Sequence, residues 1–186
     1  MGLSIHYSGY IRSKELTGRL IEEVKDISET LGWAPQIIDS DEIKGICFAP
    51  KESEPVCLTF DHNGRLLSPV NILAKDIYDD VQLDKELIYT ASTKTQYAGP
   101  DAHIAIIKLL KYISAKYLSG FELYDEGYYW ETEDEKVLLN QFKNFNAAID
   151  SFCKALEELP TVPGETATSL CERLENILKK KFGEDR

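Results

Sequence analysis

The stretch from Leu87 to Glu131 holds the signals of a strand, a tight turn, a helix and a further strand in consecutive residues, which limits the chain to folds in which a helix covers a sheet. Residues 87–95 are rich in β-branched and aromatic types. A strand there puts Leu87, Tyr89, Ala91 and Thr93 on one face and Ile88, Thr90, Ser92 and Lys94 on a wetter one. Gly99-Pro100-Asp101 reads as a helix start, because proline loses nothing at the first helical position and Asp101 meets the positive end of the dipole. At helical spacing Ala102, Ile106, Leu109, Leu110, Ile113 and Tyr117 share one arc opposite Lys108 and Lys111, so a helix running to about Leu118 covers a core. Ser119-Gly120 ends it and Phe121 to Asp125 alternates as a strand. Gly127 permits a turn, after which Tyr128-Tyr129-Trp130 returns as an acidic, aromatic hairpin, and Thr132-x-x-Glu135 supplies a capping box for the next helix.

On the N-terminal side, Leu3, Ile5 and Tyr7 alternate with Ser4, His6 and Ser8 as a first strand. Ser13 is placed to cap a helix carrying Leu16, Leu20, Val24, Ile27 and Leu31 on one stripe, with Gly32 ending it in left-handed geometry. Gln36-Ile37-Ile38 is extended. Residues 43–68 read as a meander, turning at Asn63-Gly64, where both residues tolerate positive φ. Residues 69–86 lack a clean period and read as a loop with one short helix.

From Glu133 to about Glu158, Leu138, Phe142, Phe145, Ile149, Phe152 and Leu156 recur at spacings of three and four, too briefly for a coiled coil and with side chains too bulky for its seam. That helix is expected to dock on the sheet or on a last helix, about Thr168 to Phe182, across a connector from Leu159 to Gly164. The expected fold is α+β: a largely antiparallel sheet with helices packed on one face, plus a C-terminal helical pair. Residues 1–132 form the α+β part, and 133–186 form a helical extension packed on the same core.

Composition narrows the function by exclusion. The 186 residues carry 32 acids against 21 Lys and Arg, a net charge of −11, which disfavours phosphate backbones and anionic lipid and favours cationic partners. No apolar run is long enough for a membrane span, and neither a signal peptide nor a lipidation motif is expected at the N-terminus, where His6 stands in place of the Ser or Thr of a myristoylation signal. A cytoplasmic location follows as the expectation. Cys47, Cys57, Cys153 and Cys171 lack zinc-site spacing, so neither a metal nor another cofactor is expected. Cys47 and Cys57 fall on adjacent strands and read as buried free thiols rather than a disulfide.

Three groups of residues carry candidate chemistry. Backbone N–H groups at the start of the 100–118 helix can hold an anion with help from Lys94, although Pro100 removes one donor and Asp101 repels the ligand; His103 lies in the same turn. His6 lies among serines on the wetter strand face, where it is either a solvated side chain or a general base on an open sheet. Glu122, Asp125, Glu126, Glu131, Glu133, Asp134 and Glu135, interleaved with Tyr124, Tyr128, Tyr129 and Trp130, read first as a solvated acidic face, part of which complements the dipole of the following helix, and otherwise as a protein interface more than a metal cage.

LSIHYSGYI, KTQYAGPDAH and DEGYYWETED together resemble an uncharacterised family of bacterial cytosolic proteins, over about residues 3–145. The resemblance implies no activity, cofactor or site residue. Two functions are consistent with the sequence. The first is a noncatalytic binding or regulatory protein whose acidic, aromatic surface meets a protein or cationic partner, or a second copy of the chain in a homodimer. The alternative is a small-molecule-binding protein or hydrolase-like enzyme in which His6, Lys94 and His103 converge on a pocket, so whether the protein is an enzyme is left open by the sequence.

Overall fold

The structure, a computed structural model, describes residues 3–68, 89–157, 164 and 166–182. The fold is α+β. The element order is β1 (Ser4–Ile11), α1 (Leu16–Thr30), β2 (Ala34–Asp39), β3 (Ile43–Ala49), β4 (Val56–Asp61), β5 (Leu66–Leu67), β6 (Ala91–Lys94), α2 (Pro100–Tyr117), β7 (Leu118–Asp125), α3 (Tyr129–Thr132), α4 (Glu135–Glu157) and α5 (Ala167–Phe182). The loop expected over 69–86, the start of the 87–95 strand at Leu87 and Ile88, and most of the 159–164 connector lie outside the described residues. The chain divides into two compact units, 1–142 and 143–186.

Within the first unit the antiparallel strands form two sheets rather than one. The first has the order β6-β1-β7, and the second is the meander β2-β3-β4-β5, with the Gln36-Ile37-Ile38 segment on its edge strand. The sheets are joined by side chains and by short backbone contacts. The Ile11 N–H donates to Gly64 O at 2.8 Å, the Thr93 hydroxyl donates to Pro55 O at 3.0 Å, and Glu54 N–H donates to Lys94 O at 3.0 Å. Tyr7 makes the most enclosed link, its buried hydroxyl donating to Cys57 O at 3.1 Å and accepting from Cys57 N–H at 2.9 Å. Burial pushes the Tyr7 phenol well above its ordinary pKa, which keeps it a donor.

β1 alternates as its sequence requires. Ile5 and Tyr7 are buried, whereas Ser4, His6 and Ser8 are half-buried on the opposite face. Helix α2 follows the 99–118 reading closely, with Gly99 at φ 88° before Pro100 and with Ile106, Leu109, Leu110, Ile113 and Tyr117 buried. The 61–65 turn is a three-residue loop in which only Gly64 is left-handed, at φ 79°; Asp61 Oδ1 accepts from the N–H groups of Asn63 and Arg65, so Asn63 keeps an ordinary φ.

Three local expectations are corrected. Ser13 does not cap α1; its carbonyl accepts from Leu16 N–H in a preceding turn, and the buried stripe of α1 is Thr17, Leu20, Ile21, Val24 and Ser28, leaving Leu31 exposed. Thr132 does not form a capping box with Glu135. Asp134 caps α4 instead, accepting from Lys136 N–H at 2.8 Å, because its carboxylate stands one residue before the helix. Tyr128-Tyr129-Trp130 is not a returning strand but the start of helical turn α3. The long α4 stripe is buried at Leu138 and Phe142, while Ile149 and Leu156 are exposed.

Candidate functional site

Asp125 ends β7 facing the core, and its carboxylate decides why the chain coils there. Oδ1 accepts from Gly127 N–H at 2.7 Å, and Oδ2 accepts from Tyr129 N–H at 2.8 Å and Trp130 N–H at 3.0 Å. Three backbone donors gathered on one buried anion favour a helical turn over a strand ladder. The fourth donor is His103 Nε2, 2.9 Å from Oδ1. On the other side of the ring, His103 Nδ1 lies 2.7 Å from Thr95 Oγ1, which in turn lies 3.2 Å from Leu3 O.

Both protonation states of the imidazole satisfy this chain of bonds. A neutral ring accepts the Thr95 hydroxyl proton, and a charged ring donates to Thr95 Oγ1 while the hydroxyl turns to Leu3 O. Burial alone would raise the Asp125 pKa; the hydrogen bond and charge of His103, with the N–H groups of Trp130 and Gly127, outweigh it and hold the carboxyl below its ordinary value. Gly127 completes the enclosure. A Cβ there would stand 2.5 Å from Leu138 Cδ1 and 2.9 Å from His103 Nε2, so any side chain would have to displace one of them. Thr95, His103 and Asp125 have the residue types of a hydrolytic triad, yet all three are fully buried, and Asp125 has its oxygens filled. This arrangement ties α2, β7 and α3 to the residues that flank β6 and β1, with all three side chains shut away from solvent.

The opposite face of the β6-β1-β7 sheet is open. Register sets Ser92, His6 and Tyr124 in one row and Ser8 beside Glu122 in the next. The His6 and Tyr124 rings stack with centroids 6.0 Å apart, and Tyr124 is 56% exposed. Glu126 stands beside them, its Oε1 3.9 Å from His6 Nε2 and its Oε2 accepting from Ser4 N–H at 2.7 Å. Glu122 is exposed.

The residues named from sequence are thus divided by the sheet. His6 and Lys94 share the open face, while His103 lies buried beyond the other, so these three do not converge. Of the acidic aromatic group, Tyr124 and Tyr128 are exposed and Glu126 half-buried, whereas Asp125 and Tyr129 are buried. Trp130 is half-buried between Phe121 and Lys111, whose ammonium stands 5.2 Å from the indole centre. Sequence reasoning did not single out Thr95 as a partner of His103, and it grouped Glu122 with Asp125, which the sheet separates. A strand period carried through to Asp125 would have placed Glu122 with Tyr124 and separated both from Asp125.

A cleft of about 640 Å³ lies on the second sheet, its wall including Gln36, Ile38, Cys47, Cys57, Glu54 and Ser92. Among the described residues no group of three or more His, Cys, Asp and Glu is arranged to hold a metal ion, and no helix is long and apolar enough to cross a membrane. Compared with known proteins, the chain matches no family, no curated protein and no solved structure.

Proposed function

We propose that the protein is a noncatalytic binding protein whose recognition surface is the open face of the β6-β1-β7 sheet, and that its partner is a basic protein segment. The observation that carries this reading is the stacked His6–Tyr124 pair, with Tyr124 56% exposed between Glu122 and Glu126. An exposed tyrosine ring set among carboxylates suits an arginine or lysine side chain, which gains a cation–π contact and a charge partner together. The net charge of −11 steers such a partner toward the chain. An enzymatic reading has less support, because the histidine placed best for proton transfer, His103, is sealed between Thr95 and Asp125.

Calorimetric titration with a short arginine–glycine peptide tests this against attraction by net charge alone. Binding that weakens with added salt is expected, and it should be lost in Tyr124→Ala and Glu122→Lys but kept in Glu42→Lys, which removes the same charge elsewhere. Equal weakening in Glu122→Lys and Glu42→Lys, or no binding at all, would sink the reading.

A further inference from the structure

Cys47 and Cys57 are directly opposed across β3 and β4, both reduced and both facing the cleft. Their position in the ladder follows from Tyr7. Both the N–H and the C=O of Cys57 are engaged by the Tyr7 hydroxyl, so they point away from β3. Residues in an antiparallel strand turn both backbone groups to the same side, which makes Cys47–Cys57 a non-hydrogen-bonded pair. In such pairs the Cα atoms come to about 4.5 Å, inside the range that a disulfide spans. No strand has to move for the sulfurs to bond.

Burial alone would keep both thiols inert, but the two are not equivalent. A hydrogen bond from the Cys47 thiol favours the Cys57 thiolate against the burial that opposes it. The same bond, with burial, pushes Cys47 up. A thiolate formed on one sulfur is therefore held beside the thiol of the other, as in a reactive dithiol. Each residue is 7% exposed, and that exposure opens into the cleft.

We propose that Cys47 and Cys57 form a redox site that a small peroxide, entering by the cleft, converts to a cross-strand disulfide. The Cys57 thiolate attacks a peroxide oxygen, the O–O bond breaks, and with hydrogen peroxide a sulfenic acid and hydroxide form. The Cys47 sulfur then attacks the sulfenic sulfur, the S–S bond forms, and the sulfenic oxygen leaves as water with the Cys47 proton. Two thiols are oxidised and one peroxide is reduced to two waters. Neither reaction calls for a group on the open face of the other sheet, so this site stands independently of the proposed partner.

The test uses the full chain carrying Cys153→Ser and Cys171→Ser, which leaves only this pair. After hydrogen peroxide, intact mass should fall by two hydrogen atoms with no oxygen retained, both thiols should be lost together, and dithiothreitol should restore them. A non-reduced tryptic digest should link the peptides Gly45–Lys51 and Glu52–Arg65, which cleavage after Lys51 otherwise separates. Thiols that stay free at peroxide levels that oxidise Cys153 and Cys171 in the native chain would overturn the proposal. So would oxygen added to either sulfur without a link.

Discussion

His103 Nε2 donates to Asp125 Oδ1 across 2.9 Å with both side chains fully buried, and that bond ties the first turn of α2 to the end of β7. Asp125→Ala would strand three backbone N–H groups and the imidazole N–H without water. We expect it to destabilise the fold by about 3 kcal/mol or more. Asp134→Ala, which removes an exposed cap from α4, should cost about 1 kcal/mol. Urea unfolding of both variants checks the contrast, and equal midpoints would show that Asp125 is not the anchor described.

Acid should loosen the fold through carboxylates held below their ordinary pKa, Glu23 and Asp125 among them. Glu23 on α1 accepts from Lys116 Nζ at 2.8 Å and from the hydroxyls of Tyr112 and Tyr117 on α2, which together draw its pKa down to about 2. Asp125 is likewise depressed. A carboxylate depressed in the folded state contributes stability that is complete above its unfolded pKa of about 4 and is lost as pH falls through the folded value. Stability measured from pH 6 down to pH 2 should therefore fall, and Glu23→Gln should flatten part of that fall while leaving the rest to Asp125 and to the likewise depressed Glu15 and Glu133. An unchanged slope in Glu23→Gln would contradict the clamp between the two helices.

Two glycines should respond oppositely to a methyl group. In Gly127→Ala the new Cβ would collide with Leu138 and His103, and we expect a loss of about 1–3 kcal/mol. In Gly18→Ala, within α1, nothing lies within 4 Å, and the change should add up to about 1 kcal/mol through helix propensity. Thermal melts of the two variants on either side of the wild type would bear this out.

Tyr7→Phe removes one oxygen from between the sheets and leaves the Cys57 N–H and C=O unpaired in the core. The expected cost is about 1–3 kcal/mol, with the Cys57 amide exchanging faster than in wild type. Unaltered exchange at Cys57 would mean that another group satisfies it.

The sequence by itself determined the elements whose signals are local. Pro100 with Gly99 set the start of α2, the apolar arc from Ile106 to Tyr117 set its buried face, and the alternation of Ile5 and Tyr7 with His6 set the two faces of β1. Caps were legible only in kind, because several polar side chains near a helix start compete within a residue or two. Asp134 won where Thr132 was expected, and α1 begins with no side-chain cap at all.

Tertiary structure alone decided what is bound to what. Asp125, Glu126 and Tyr124 are consecutive acids and aromatics in sequence, yet the pleat sends Asp125 into the core and Tyr124 out, and only a partner arriving from α2 shows that Asp125 is an anchor. His6 and His103 were candidates for one pocket because composition carries no information on sheet faces; pairing with Tyr124 and Asp125 put them on opposite sides. The opposition of Cys47 and Cys57 depended on strand register, which the length of the intervening loop limits but does not specify. Their place in the ladder depended on Tyr7, a residue from the other sheet. Local propensity acts through neighbours in the chain, whereas burial, register and hydrogen-bond satisfaction act through neighbours in space.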